Sequence, residues 1–367
     1  MNQVLAESFQ SLTTEYSKFK NFALNNNKLK EKREMVRSRM GQTSRTEIYR
    51  EHSTRLFRYK RSSKATINLP MLVLPSLVNR PNIMDLLRGE SFIEGMLERG
   101  FDVYMLEWGE PTPGQREFTL EYYLRKYVGR AIRRVKKASG SEGITLAGYC
   151  LGGFAALLYA ALDQGKDVKN LITMVTPVNF VDEGILSWWS RKEHFDIDKV
   201  VDTYGNVPAE YFAQSFPWIA PEKQLAKARV IYELHDNDEF MESFLALDIW
   251  GTDHTAIGGE VYRDIIKYGY QENCLIEQKV WPLSSSEAHL DNVRMPVLNL
   301  AADFDHICPS KSVTVLSDLL AQNADCTSKS YPAGHLSIAL GKDLANQHTD
   351  EYWNDIATWC CKRDVKN

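Results

Sequence analysis

A cysteine set among glycines at the end of an apolar run is the residue of this chain with the most chemistry in it. Cys150 lies in Gly148-Tyr149-Cys150-Leu151-Gly152-Gly153, directly after Ile144-Thr145-Leu146-Ala147 and before the Ala/Leu stretch from Ala155 to Leu162. A β-branched run, a nucleophile-type residue between glycines and a helix-forming stretch read as strand, sharp turn, helix. That is the setting of a nucleophile elbow of the G-x-S-x-G kind, with cysteine in the serine's place. Glycines suit the bend because backbone segments approach closely there and a Cβ would clash. The sulfur favours exchange of acyl groups with thioesters, whereas serine is the usual choice for hydrolysis of esters and amides. A buried structural cysteine is the plain alternative, since free cysteines are often buried; the strand before and the helix after argue against it.

Two later segments supply partners. Val297-Leu298-Asn299-Leu300-Ala301-Ala302 reads as a buried strand and ends in Asp303-Phe304-Asp305-His306; Tyr331-Pro332-Ala333-Gly334-His335 follows a polar segment. The order Cys, Asp, His is that of α/β-hydrolase triads and differs from the order in unrelated triad folds. All three candidates follow predicted strands, and in open α/β sheets ligands bind at the carboxyl ends of strands. In this reading His335 is the general base that draws the proton from Cys150, and an aspartate, Asp305 or Asp303, orients it. The oxyanion hole takes backbone N–H groups from Leu151, the residue after the nucleophile, and from the Val78–Asn79 region of the loop after the apolar strand Pro70 to Pro75.

Composition narrows the class. The chain has 367 residues, 44% hydrophobic and 25% charged, with net charge -4. That suits one large α/β domain with an insertion, or two small domains, and the overall charge gives no reason to expect a nucleic-acid partner. No stretch approaches the roughly 18 apolar residues of a membrane span. The Met1-Asn2-Gln3 start reads as no signal peptide. Six cysteines without paired spacing then point to the reducing cytoplasm, with Cys150 free as a thiol.

Along the chain, Leu5, Phe9, Leu12, Tyr16, Phe19 and Phe22 recur at threes and fours, which predicts an amphipathic helix in an N-terminal segment of residues 1–45. A core of residues 46–178 and 292–367 holds strands alternating with helices: a hairpin at Thr46–Tyr49 and Leu56–Tyr59, a helix from Phe92 to Arg99, a strand from Phe101 to Leu106, a basic helix from Leu120 to Lys137, and a strand from Asn170 to Val175. That spacing predicts a mostly parallel, doubly wound sheet. Residues 179–291 break the rhythm, are rich in aromatics and show no clear strand series, so they read as a helical cap inserted over the nucleophile. A C-terminal helix is predicted for Asp350 to Cys361. His235, His254 and His289 lack metal-ligand spacing and read as solvated or cap-packing residues, with no metal expected. Cys274 and Cys308 read as core or loop thiols, and Trp250 as a cap-lining or core residue.

These segments resemble the catalytic subunit of polyhydroxyalkanoate synthases, most like the short class III type that works with a second subunit. The resemblance is carried by the Gly148–Gly153 box, Leu74 to Pro81 with Val78-Asn79-Arg80-Pro81, Phe101 to Gly109, Met174 to Phe180, Gly205-Asn206-Val207-Pro208, Asp305-His306 and Gly334-His335. It covers roughly residue 45 to the C-terminus. Two departures stand out: Ala333-Gly334 where the family often has Gly-Gly, and Glu107-Trp108-Gly109 where it has Asp-Trp-Gly. The resemblance implies Asp305 over Asp303, with His335 or Asp305 activating the hydroxyl of the incoming acyl unit and His306 structural or a helper in the site. It implies an α/β-hydrolase fold and a substrate of (R)-3-hydroxyacyl-CoA, 3-hydroxybutyryl-CoA foremost. It further implies an acyl-cysteine intermediate, a growing polyester, no cofactor beyond the CoA thioester itself, a second subunit, a homo-oligomer and a place at the polymer granule. Arg80, Arg88, Arg125, Lys126, Arg130, Arg133 and Arg134 are available cations for the CoA phosphates. The alternative that shares the triad is a cysteine-dependent hydrolase, an intracellular polyester depolymerase or thioesterase.

Overall fold

The computed structural model describes residues 25–182, 184–323, 325–341 and 351–364, with single positions between 14 and 22. Its apolar runs become one eight-stranded sheet. The strands are β1 (Arg45–Glu51), β2 (Thr54–Tyr59), β3 (Met71–Leu74), β4 (Val103–Glu107), β5 (Ile144–Tyr149), β6 (Val168–Met174), β9 (Val297–Ala302) and β10 (Cys326–Tyr331). Their order is β1-β2-β4-β3-β5-β6-β9-β10. The β1–β2 hairpin and the β2–β4 pair are antiparallel, and every other pairing is parallel. β3, β4, β5 and β9 are buried along their whole length, as strands covered on both faces must be.

Two apolar layers do the covering. One face carries a long helical stretch and the elbow helix. The long stretch, α3, runs through Leu120–Tyr122, Tyr123–Val128 and Gly129–Ser139. It spans the predicted basic helix, but its middle is wound as a π-helix, a form that periodicity does not announce. The elbow helix is α4 (Leu151–Ala160). The other face packs under α2 (Phe92–Glu98) and the C-terminal α10 (Glu351–Cys361).

Between β6 and β9 the chain leaves the sheet. It forms α5 (Ile197–Tyr204), α6 (Ala209–Ser215), α7 (Pro221–Leu234), α8 (Asp238–Thr252) and α9 (Gly259–Asp264), with shorter turns between them. It also forms a two-stranded hairpin, β7 (Val280–Pro282) with β8 (Glu287–His289), which the sequence pattern did not announce because each strand is only three residues long. Helix α1 (Asn27–Arg39) lies against α8 through Arg33–Asp248 and Arg39–Glu242 ion pairs. Phe19 and Phe22 both pack against Tyr232 of α7 with ring centroids 5.1 Å apart, Phe22 edge-on. The earlier apolar positions Leu5, Phe9, Leu12 and Tyr16 lie outside the described residues.

Backbone segments come close together at the start of α4. A Cβ on Gly152 would run into the carbonyl oxygens of Leu74 and Pro75, and one on Gly148 would run into Gly153. Trp108 supports the same corner by donating from Nε1 to the Pro75 carbonyl at 2.8 Å, while Arg45 and Arg55 pair with Glu107 beside it. Backbone-to-backbone contact of this kind has no flexible neighbour that could give way. Gly152→Ala is therefore expected to cost at least about 2 kcal/mol of stability, in the range of core overpacking. Chemical denaturation measures it, and an unchanged midpoint would contradict the packing described.

Candidate active site

The turn between β5 and α4 places Cys150 at the carboxyl end of the sheet in a conformation that L-residues rarely adopt, φ 54° and ψ -125°. Such a backbone costs on the order of 1–3 kcal/mol and persists only where its surroundings over-determine it. Here the Cys150 N–H donates to the Met174 carbonyl at 2.9 Å, and the Cys150 carbonyl accepts from Phe154 N–H at 3.1 Å. The residue is 9% exposed.

The other two candidates arrive from β9 and β10. His335 follows β10, and its own carbonyl accepts from the Tyr149 hydroxyl at 3.1 Å, tying the histidine loop to the strand that carries the cysteine. Asp305 follows β9 and is buried. Its Oδ2 lies 2.6 Å from His335 Nδ1, and its Oδ1 accepts the backbone N–H groups of Ile307 and Cys308, each at 2.8 Å. Both carboxylate oxygens are thus engaged. With Nδ1–H turned to the carboxylate, Nε2 is the ring nitrogen left for the sulfur.

Electrostatics follow from this chain of groups. A hydrogen bond from the Cys308 thiol is the largest influence holding the Cys150 thiol well below its ordinary range. Burial opposes it, and the charge and hydrogen bond of His335 and the Leu151 N–H add to it. For His335, burial pulls down, but Asp305 and the Cys150 sulfur outweigh it and bring the ring up to about 10. Both shifts act in the same direction: they favour a thiolate at Cys150 beside a protonated His335.

Leu151, Val78 and Asn79 line the same cavity as Cys150 and His335. The Leu151 N–H is directed at the sulfur, and the Val78 carbonyl accepts from Thr255 N–H at 3.1 Å. Asn79 donates from Nδ2 to His254 Nδ1 at 2.9 Å, which pins the Val78–Asn79 loop to the segment after α8. The cavity holds about 290 Å³, and much of its wall comes from the helical insertion, Trp189, Phe195, Phe212, Phe216, Ile265 and Tyr270 among them.

Other sequence candidates fall elsewhere. Asp303 hydrogen-bonds Ser330 at the exposed edge, and His306 is exposed. His235 meets Phe22 edge-on, and His289 is half exposed beside Glu287. Cys274 is buried near Glu272. Among the described residues, no group of three or more His, Cys, Asp or Glu could hold a metal ion. None of the seven candidate cations lines the cavity; Arg80, Arg125 and Arg130 are paired with Glu110, Glu121 and Glu51.

Four residues of the cavity wall escaped the sequence reading or were left undecided in it. Trp250 lines the cavity and donates to the Arg80 carbonyl at 2.8 Å. His254 is buried against Phe216, and burial holds its ring below the usual histidine range, hence neutral. The Ser76 hydroxyl is buried without a hydrogen-bond partner among the described residues. Cys308 faces Cys150. The signal for Cys308 was its place three residues after Asp305, on a loop that has to turn back toward the site.

Removing the imidazolium removes a partner that favours the thiolate, so His335→Gln should raise the pH at which Cys150 ionises, toward the free-thiol value of about 8.5. The rate of iodoacetamide capture of Cys150 against pH measures this. Capture at pH 6 should fall by at least about tenfold, and an unmoved profile would dissociate the two residues.

Residues 70–341 match the alpha/beta hydrolase fold family. Poly(3-hydroxyalkanoate) polymerase subunit PhaC of Synechocystis sp. is 35% identical over 305 residues, covering 82% of this chain and 80% of that one. The PhaC subunit of Allochromatium vinosum is 35% identical over 302 residues, covering 81% and 84%. The PhaC subunit of Haloferax mediterranei is 30% identical over 326 residues, and the match spans 88% of this chain but 65% of that protein's length. Among solved structures, a soluble variant of monoglyceride lipase from Saccharomyces cerevisiae superposes with a TM-score of 0.53 at 13% identity, covering 89% of this chain and 98% of that one. MenH from S. aureus gives 0.51 at 15%, covering 86% and 100%. At such identities these two likenesses show the fold alone.

Proposed function

The chain belongs to the alpha/beta hydrolase fold family and, within it, to the PhaC subunits of poly(3-hydroxyalkanoate) polymerases, and from that membership we propose that it polymerises (R)-3-hydroxyacyl-CoA, 3-hydroxybutyryl-CoA foremost, through an acyl-cysteine at Cys150. The observation that carries this reading is Cys150 at the strand-to-helix elbow and His335, held through Nδ1 by Asp305 at 2.6 Å, on the wall of one apolar cavity.

The Cys150 thiolate attacks the thioester carbonyl. The developing oxyanion is met by backbone N–H groups at Leu151 and in the Val78–Asn79 loop, donors of a kind whose loss costs on the order of 10²–10³ in rate. Collapse expels the CoA thiolate, which takes the proton from His335. The ring, now neutral, accepts the proton of the 3-hydroxyl of the next acyl unit. That oxygen attacks the acyl-cysteine, forms the ester, and returns Cys150 to thiolate beside a reprotonated His335. Asp305 touches neither reacting group; its part is to hold the ring's orientation and balance its charge.

An acyl-enzyme of this kind must outlast water. The aromatic wall contributed by residues 179–291 supports reading that segment as a cap that keeps water out. The relatives are named as subunits, which supports a second subunit for this chain too; that it also forms a homo-oligomer is our reading. No helix of the described residues is long and apolar enough to cross a membrane. We read the place of work as the cytoplasm, at the surface of the polymer granule.

Purified chain incubated with (R)-3-hydroxybutyryl-CoA, with and without a second subunit, should release CoA and form insoluble polyester in step. Cys150→Ala should abolish both, and Asp305→Asn should lower the rate by at least about 10² while leaving the protein folded. Release of CoA with free 3-hydroxybutyrate and no polymer would assign the site to a hydrolase.

A further inference from the structure

The loop after β3 takes its support from the helical insertion. Each of its residues 77–80 is bonded to a residue between 250 and 255. The Leu77 carbonyl accepts from the Thr255 hydroxyl at 3.4 Å, and the Val78 carbonyl from the Thr255 N–H at 3.1 Å. Asn79 donates from Nδ2 to His254 Nδ1 at 2.9 Å. The Arg80 carbonyl accepts from Trp250 Nε1 at 2.8 Å, and Arg80 Nε donates to Asp253 at 3.2 Å. The supporting residues lie at the end of α8 and just beyond it. That helix is braced in turn, because its Asp248 pairs with Arg33 of α1 and Lys227 of α7. The N–H groups of Val78 and Asn79 donate to no described residue. The loop's acceptors are thus tied to the insertion, while the donors assigned to the oxyanion stay open to a ligand.

We infer, on the reading that Cys150 carries the acyl group, that His254 is a positioning residue for the oxyanion hole: its Nδ1 accepts from the Asn79 side chain and so fixes the Val78–Asn79 N–H groups against the insertion. Asn79 and His254 face each other as an isolated antiparallel bridge, so the tie joins backbone as well as side chains. The ring is 5% exposed and meets Phe216 edge-on, with centroids 4.9 Å apart. Burial holds it below the usual histidine range, which leaves Nδ1 a lone pair with which to accept. Oxyanion donors work because they are aimed before charge develops. A loop is the kind of element that opens locally at little cost, and a displacement of about 1 Å is enough to lower a rate. A buried bond from a rigid ring counters that opening at the residue where the donors lie.

The role makes the insertion part of the catalytic apparatus as well as a wall. The hole is complete only while residues 250–255 are docked on the loop, so assembly of the cap and assembly of the oxyanion site are one event. It also separates two reactions of the same sulfur. Attack on a thioester places negative charge on the carbonyl oxygen, and so does attack of the hydroxyl on the acyl-cysteine; both steps need the loop. Alkylation of Cys150 by iodoacetamide is a displacement at carbon in which no carbonyl oxygen gains charge, and it does not need the loop. The role requires no contact between His254 and the reacting atoms.

His254→Phe and His254→Asn test this. Phenylalanine keeps the ring's volume beside Phe216 and loses the acceptor; asparagine keeps an acceptor at the place of Nδ1 and loses the volume. Three quantities are measured on the full chain: amide hydrogen exchange of the peptide spanning residues 77–80, the rate at which (R)-3-hydroxybutyryl-CoA acylates Cys150, and the rate at which iodoacetamide captures it. His254→Phe is expected to quicken exchange in the loop and to lower acylation and kcat about tenfold, with KM and iodoacetamide capture within about twofold of the parent. His254→Asn should recover acylation to within about threefold of the parent. Asn79→Ala should match His254→Phe, and the double variant should fall no further, since both remove one bond. Parental exchange and acylation in His254→Phe, a larger loss in His254→Asn than in His254→Phe, or capture that falls in step with acylation would overturn the inference. Should exchange respond as stated while (R)-3-hydroxybutyryl-CoA leaves even the parent unacylated, the tie between His254 and the loop stands and the polymerase reading falls.

Discussion

The site depends on keeping a run of charges, carboxylate, imidazolium and thiolate, in a place where water does not screen them. Ions removed from water lose several kcal/mol of solvation each, and their mutual attraction offsets that only with good geometry and full hydrogen bonding. Each charge here is answered. Asp305 has one oxygen on His335 and the other on two backbone N–H groups. His335 lies between Asp305 and Cys150, and the sulfur has the ring, the Leu151 N–H and the Cys308 thiol around it. Asp305 is 6% exposed and His335 8%, so the loss of any one member would strand the others.

That requirement explains the architecture around it. The three residues follow β5, β9 and β10, and in the sheet the order runs β5-β6-β9-β10. At strand spacings of about 4.8 Å, the ends of β5 and β10 lie roughly 14 Å apart. A side chain cannot bridge that distance, so the loops must. The turn from Tyr331 to His335 bends back over the sheet, held by hydrogen bonds from Phe304 N–H to the Ala333 carbonyl and from Tyr149 to the His335 carbonyl. The Asp305 loop lies between and supplies the counter-charge. The elbow does the rest by lifting Cys150 off the end of β5 in a conformation that only a crowded corner of Gly148, Gly152 and Gly153 permits.

Much of this was legible in the order of residues. Largely apolar runs four to six residues long marked β3, β4, β5 and β9, because a strand buried on both faces has no polar side to confuse its pattern. The elbow was legible because its glycines have no other simple use, and the Cys, Asp, His order selected one fold from several. What stayed hidden depends on distance rather than type. Cys308 reads as any buried thiol until the loop after Asp305 is folded, and His254 reads as a cap residue until its ring is found against Asn79. The π-wound middle of α3 and the β7–β8 hairpin were hidden for another reason. Tertiary packing selects them, and neither leaves a period in a stretch of three to six residues.

The choice of sulfur over oxygen at position 150 bears on the direction of the reaction. An acyl group on cysteine is still a thioester, as reactive as the CoA ester from which it came, so loading the enzyme dissipates little. The free energy of the thioester is released at the next step, when a hydroxyl oxygen takes the acyl group and an oxygen ester forms. With serine the order would invert: the drop would come on loading, and passing the acyl group from one oxygen to another would be nearly balanced, leaving water as the only acceptor with a strong downhill path. A thiol whose ionisation is held low, as that of Cys150 is, also gives a good leaving group, which is the property that the second step needs. A low-lying thiolate, a cavity walled by aromatic side chains and a neutral imidazole after loading therefore act in the same direction. Each favours a hydroxyl that is held in the cavity over a water molecule that has to enter it.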